Sequence, residues 1–244
     1  MKVQTRIRRW PWVAIVLSLA VALVLSMISP RDDVQGELVR IMYLHVPAAW
    51  LAYVAFFVTF LGSLTYLITK NLRWDRIAAA SAEIGVFFTG LTLALGMIWG
   101  KSTWGTPWTW DARLTLTAIM FFVYLGYLAL RRTTDDPIAR ASRAAVLGVL
   151  GAIQIPIVHF SVVWWRTLHQ PPSLVRPDSP AIQEPLMLVT LIVGVLAFTV
   201  IYVALVVKRI ELIHLENQRL EIEHSSDRPV AGEAVVVPEL GAKS

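Results

Sequence analysis

The chain has 244 residues, of which 56% are hydrophobic and only 16% charged. Soluble domains carry about 25% charged residues, so this balance excludes a soluble globular enzyme and a disordered scaffold. The net charge of +5 does not indicate nucleic acid, because the basic residues sit at the ends of apolar blocks rather than in one patch.

There is no cysteine. That removes disulfides, thiolate metal sites, iron–sulfur clusters and the thioether attachment of a c-type haem. No G-x-x-x-x-G-K-[ST] loop is present either, so any ATP hydrolysis belongs to another chain.

Apolar blocks of about 20 residues, the length that crosses ~30 Å of hydrocarbon as a helix, predict six spans at 12–29, 47–69, 77–98, 114–130, 144–163 and 186–207. Each is helical because lipid offers no partners to open backbone groups. The first follows Lys2, Arg6, Arg8 and Arg9 and resembles a signal peptide. Its length and the lack of a small-residue cleavage pattern before Pro30 predict a retained span. With the N-terminus inside, the inner segments hold 16 of the 22 Lys and Arg residues and the outer ones 6. The expected fold is therefore an all-α, six-transmembrane helix bundle with short periplasmic loops and both termini cytoplasmic. No internal repeat is visible.

In the first outer segment, Leu38, Ile41, Met42 and His45 share one helical face at offsets of 3, 4 and 7, which turns His45 toward the membrane side. Pro47 suits the first turn of the second span. In the third span, Glu83 is an intramembrane carboxylate, a functional candidate by default or a partner for Arg76 or Arg73.

The middle outer segment, residues 99–115, contains four of the ten tryptophans: Trp99, Trp104, Trp108 and Trp110. Interfacial anchoring explains one or two tryptophans, whereas four with two glycines and Pro107 point to an aromatic platform. Trp108 and Trp110, two apart, share a face if the backbone is extended, where a planar aromatic ligand stacks. Asp111 is placed to cap the next helix near Leu114. Lys101 and Arg113 are candidates for the carboxylates of a ligand.

The fifth span carries His159, read as a buried polar residue, and His169 lies just beyond it, ahead of Pro171-Pro172. His45 and His169 at one depth, with the Trp loop between their spans in sequence, form a set able to ligate a haem iron from both sides. After Val207 the sixth span continues as a cytoplasmic helix, and the tail from Ser225 has the composition of a disordered segment. His214 and His224 in this region read as solvated. The chain thus divides into a membrane domain, 1–207, and a cytoplasmic extension and tail, 208–244.

The stretch from Trp104 to Thr115, WGTPWTWDARLT, resembles the "WWD" signature of haem-handling proteins. The flanks Arg40 to Trp50, RIMYLHVPAAW, and Ser161 to Gln170, SVVWWRTLHQ, resemble one branch, the cytochrome c maturation family CcmC, or haem exporter protein C. The similarity covers about residues 10–215, and Pro107 departs from it where many members have Trp. It implies a non-enzymatic component that holds haem b non-covalently at the periplasmic face of the inner membrane. His45 and His169 would be its axial ligands, and Trp99, Lys101, Trp104, Trp108, Trp110, Asp111 and Arg113 its surroundings. It also implies transfer to a CcmE-like haem chaperone, alongside CcmA/CcmB-like ABC transporter subunits and a CcmD-like small membrane protein. A haem-translocating channel and a structural assembly subunit are the two competing readings.

Overall fold

The computed structural model describes residues 9–169, 182 and 184–226. Helix α1 spans Trp10–Ile28. A 3-10 helix, Glu37–Ile41, runs directly into α2, Met42–Thr69. Then follow α3 (Leu72–Trp104), α4 (Ala112–Leu130), α5 (Pro137–Gly151), α6 (Gln154–Trp164) and α7 (Pro185–Ser226). Six helical spans, with α5 and α6 together forming the fifth, are long and apolar enough to cross a membrane. Among the described residues there is no strand, only an isolated bridge between Asp32 and Gly36. The protein is an all-α integral membrane bundle, as the apolar blocks predict.

The α2–α3 hairpin is the centre of the molecule. Its turn is tight: Lys70 ends α2 in the left-handed region at φ 56°, and the Asn71 side chain caps α3 by accepting from the Arg73 N–H at 2.9 Å. The two helices approach closely because their contact face is small. Ala48, Ala52, Ala55, Ala78 and Ala82 are all buried, and a side chain at Gly62 would lie 3.0 Å from the Trp74 carbonyl. Close backbone approach of this kind drives association in lipid, where the hydrophobic effect gives no preference for protein over acyl chains.

Larger side chains fill the two flanks. On one, Leu51, Phe88, Phe198, Ile201 and Tyr202 join α2 and α3 to α7. On the other, Phe56 stacks on Tyr124 at 3.6 Å between centroids, and Met120, Tyr127 and Val158 complete a cluster with α4 and α6.

Several element boundaries differ from the sequence expectation. Helix α3 outruns its apolar block at both ends, which brings Asp75 inside a helix. There it is buried and takes a two-pronged ion pair from Arg131 at 2.5 and 2.8 Å. Glu83 pairs not with Arg76 or Arg73 but with Arg209 of α7, at 2.5 and 3.0 Å, through a contact no local pattern announces. The fifth span is two helices. Pro156 has no N–H for the carbonyl four residues back, and the chain tightens through Ile153 N–H to Leu150 C=O and Ile155 N–H to Ala152 C=O, at 3.2 and 3.1 Å. Pro47 is likewise interior to α2 rather than in its first turn, because the helix begins at Met42.

Helix α7 continues without a break past Val207, and Ile213 in its extension packs against Ala79 and Ala80 of α3. His214 is exposed, beside Gln218 at 3.2 Å. The Pro171-Pro172 stop and the tail beyond residue 226 lie outside the described residues.

Candidate functional site

The 3-10 segment before α2 changes the phase of the face that carries His45. A 3-10 turn takes three residues instead of 3.6, so Val39 is buried at 3% exposure while Leu38, expected on the His45 face, is 37% exposed. Met42 and His45 remain on the inner side in the first turn of α2. Arg40, on the opposite side, donates to the carbonyls of Ser26 and Met27 at the end of α1 and to Glu37. It closes a helix terminus whose last carbonyls have no partner within the helix.

His45 lies against α3. Its Nδ1–Cε1 edge faces Gly96, where an added Cβ would be 3.1 Å from Cε1 and 3.6 Å from Nδ1. Nδ1 is buried without a hydrogen-bond partner. The Trp99 ring meets the His45 ring edge-on, with centroids 5.8 Å apart at 75°.

His169, after the end of α6, is brought to the same place. Its ring centroid is 6.4 Å from that of His45, the planes inclined at 36°, and 6.4 Å from the Trp104 ring at 63°. Residues 124 positions apart in the chain thus form one cluster, His45, His169, Trp99 and Trp104, at one end of the bundle.

The loop between α3 and α4 is fixed by its own polar groups. Gly105 ends α3 at φ 78°, and Lys101 Nζ donates to its carbonyl at 3.1 Å. The Thr106 hydroxyl donates to the Trp108 carbonyl at 2.9 Å, which bends the segment. In consequence Trp108 and Trp110 do not form the single flat face expected of an extended backbone: their rings meet at 83° with centroids 5.6 Å apart. Trp108 is half-buried with an unpaired Nε1, while Trp110 is 83% exposed. Asp111 caps α4 as expected, accepting from the Leu114 N–H at 2.9 Å, and its other carboxylate oxygen is buried and unpaired.

Arg113 reaches sideways to α6, where Nε donates to Ser161 Oγ at 3.1 Å and an outer nitrogen to the His159 carbonyl at 2.8 Å. Its position braces the segment that leads to His169. His159 is exposed on α6 rather than buried as expected, because its face of the helix turns away from the bundle, and its ring packs edge-on to Tyr53 at 6.1 Å and to Phe160 at 5.0 Å. Among the described residues no group of three or more His, Asp or Glu side chains converges as a metal site. A pair of imidazoles beside indole rings suits a metal whose remaining ligands come with it, as in a porphyrin.

Sequence reasoning did not single out Gly96 or Gln35. The Gln35 side-chain oxygen accepts from Trp99 Nε1 at 2.8 Å. Gly96 had a weak signal, a glycine inside a helical block, which often marks close packing; Gln35 had none.

The family model described as Heme exporter protein C matches residues 1–224. The chain is 43% identical over 217 residues to a Heme exporter protein C from Bradyrhizobium diazoefficiens, covering 89% of this chain and 79% of that protein. It is 40% identical over 193 residues to the protein of that name from Haemophilus influenzae, with 78% of each chain covered. For the one from Escherichia coli K12 the identity is 38% over 180 residues, covering 72% and 74%. With the six membrane-spanning helices, these matches show that the chain belongs to the Heme exporter protein C family of cytochrome c maturation, as a multi-pass membrane component of haem handling.

Proposed function

We propose that the protein holds haem b non-covalently between His45 and His169 at the periplasmic face of the bacterial inner membrane, and passes it to a CcmE-like haem chaperone. The separation of the two imidazoles carries this reading. An imidazole nitrogen sits about 2.0–2.1 Å from a bound metal and the ring centre roughly 1 Å further, so two rings on opposite sides of one iron stand roughly 6 Å apart. The observed centroid distance is 6.4 Å.

The other residues fit a porphyrin. Trp99 and Trp104 flank the histidines with apolar ring edges, and the exposed Trp110 offers a surface on which a flat macrocycle or a docking partner can rest. Lys101 and Arg113 stand at either end of the Trp loop as the cations nearest in sequence for the carboxylates of the cargo. When bound, haem supplies the iron and four nitrogens of the coordination sphere. The chain supplies two imidazoles, an apolar enclosure, and an open Trp-rich rim from which the cargo leaves. In this reading the protein is a non-enzymatic binding and transfer component, working with CcmA/CcmB-like ABC transporter subunits and a CcmD-like small membrane protein.

The test is the visible spectrum of the purified protein loaded with haemin. The wild type should show a low-spin, bis-imidazole Soret band. His45→Gly and His169→Gly should each lose haem and regain part of it when imidazole is supplied, because a small imidazole fills the cavity left by the side chain. His159→Gly should behave as wild type. A normal bis-imidazole spectrum in both single variants without added imidazole would overturn the assignment.

A further inference from the structure

The segment between α1 and the 3-10 helix is short, polar and closely determined. The Asp32 carboxylate accepts from the backbone N–H groups of Val34 and Gln35 at 2.9 and 2.7 Å, an Asx turn. Asp32 and Gly36 exchange backbone hydrogen bonds at 3.2 and 2.9 Å. Gly36 adopts φ 57° and ψ −133°, a conformation that side chains disfavour, although nothing lies within 4 Å of where its Cβ would be. Glycine is there for the backbone angle and not for space. The turn leaves Val34 at 93% exposure and fixes the backbone of Gln35.

From that fixed position Gln35 accepts the Trp99 Nε1–H at 2.8 Å, across 64 residues of chain. Trp99 is thereby held at two places: its indole packs on the Val39, Met42, Tyr43, Met187 and Leu191 cluster, and its nitrogen is tied to the turn. Its ring stands edge-on to His45 at 5.8 Å, while Gly96 backs the Nδ1–Cε1 edge of the same imidazole. His45 itself has a buried Nδ1 with no hydrogen-bond partner. A histidine that ligates a metal is usually oriented by a hydrogen bond to its second nitrogen. Here the Thr92 backbone of α3, one turn before Gly96, lies in polar contact with the imidazole, and packing against Trp99 and Gly96 sets the ring direction beside it.

We infer that Gln35 is a positioning residue for His45, acting through the indole of Trp99, with the Asp32–Gly36 turn as its rigid mount. The inference rests on the proposed role of His45 as a haem ligand, and its tests separate the two. Gln35→Leu removes the acceptor, Gln35→Glu keeps one, and Trp99→Phe keeps an aromatic edge without the N–H.

Two measurements are made on the full-length protein in detergent. The first is the rate at which haemin leaves the loaded protein for a protein scavenger, with the electron paramagnetic resonance g-values of the ferric form, which report the relative orientation of axial imidazoles. The second uses haem-free protein: the rate at which diethyl pyrocarbonate modifies His45, read by mass spectrometry. Gln35→Leu and Trp99→Phe should each speed haem loss roughly fivefold, the weight of one hydrogen bond, shift the g-values, and raise His45 modification by a similar factor. Gln35→Glu should stay close to wild type, and the Gln35→Leu/Trp99→Phe double variant should be no worse than Trp99→Phe alone.

Additive effects in the double variant, or His45 reactivity unchanged in both single variants, would overturn the positioning role. If His45→Gly retains haem, the ligand assignment fails, yet the modification rates still decide whether Gln35 orients His45. If Gln35→Leu does not reach the membrane, Trp99→Phe carries the same two readouts.

Discussion

At Gly96 the candidate site has little room for one methyl group beside a histidine. Within a helix, glycine is about 1 kcal/mol less favourable than alanine, so its presence in α3 has a local cost. The opposing term is His45, whose Cε1 lies 3.1 Å from the position an alanine Cβ would take. The two effects act on different properties. Gly96→Ala should leave the melting temperature of the haem-free protein unchanged or slightly raised, while haem affinity falls by roughly tenfold, the scale of a displaced ligand support. Thermal unfolding in detergent and a haemin titration of the same preparation check both halves. A parallel fall in stability and affinity would mean that Gly96 serves helix packing and not the histidine.

Between elements, the most buried ion pair among the described residues is Asp75 to Arg131, which pins the first turn of α3 to the end of α4. The side chains are only 6% and 11% exposed. Removing one partner of such a pair leaves a buried charge unmatched, at about 3–5 kcal/mol, whereas replacing both is far less costly. Asp75→Asn and Arg131→Gln should each lower the unfolding temperature of the purified protein markedly, and the double variant should recover a large part of the loss. Additive losses would show that the two side chains contribute independently.

The contrast with what the sequence makes legible is physical. Six spans are readable because hydrocarbon demands long apolar helices, and the Asp111 cap because capping is a contact within four residues. His45 and His169 are readable as candidates since each stands at a span end next to aromatic residues. The Asp75–Arg131 and Glu83–Arg209 pairs, the Gln35–Trp99 bond and the angle between Trp108 and Trp110 depend on how separate helices rotate against each other or on how a short loop bends. The break at Pro156 lies within an apolar block whose hydropathy does not change across it, so composition alone passes over it.

At the scale of the whole molecule, the bundle separates two kinds of chemistry at its ends. His45, Trp99, Trp104 and His169 gather at one end, where α2 begins and α3 finishes. Lys70, Arg73, Arg76, Arg131 and Arg132 lie at the other, where α2 and α4 finish and α3 begins. Basic loops stay on the cytoplasmic side during insertion, so the histidine end should face outward, and six crossings should return the C-terminus to the cytoplasm. The absence of cysteine makes the chain a ready background for single-cysteine labelling. Val34 and Trp110, 93% and 83% exposed at the histidine end, and Ile138, 65% exposed near the basic end, are the positions to replace. In intact spheroplasts a membrane-impermeant maleimide should label Val34→Cys and Trp110→Cys and leave Ile138→Cys unlabelled until the membrane is permeabilised. A C-terminal tag on the same chains should survive external protease. The reverse pattern would place both histidines in the cytoplasm and remove them from reach of any periplasmic acceptor.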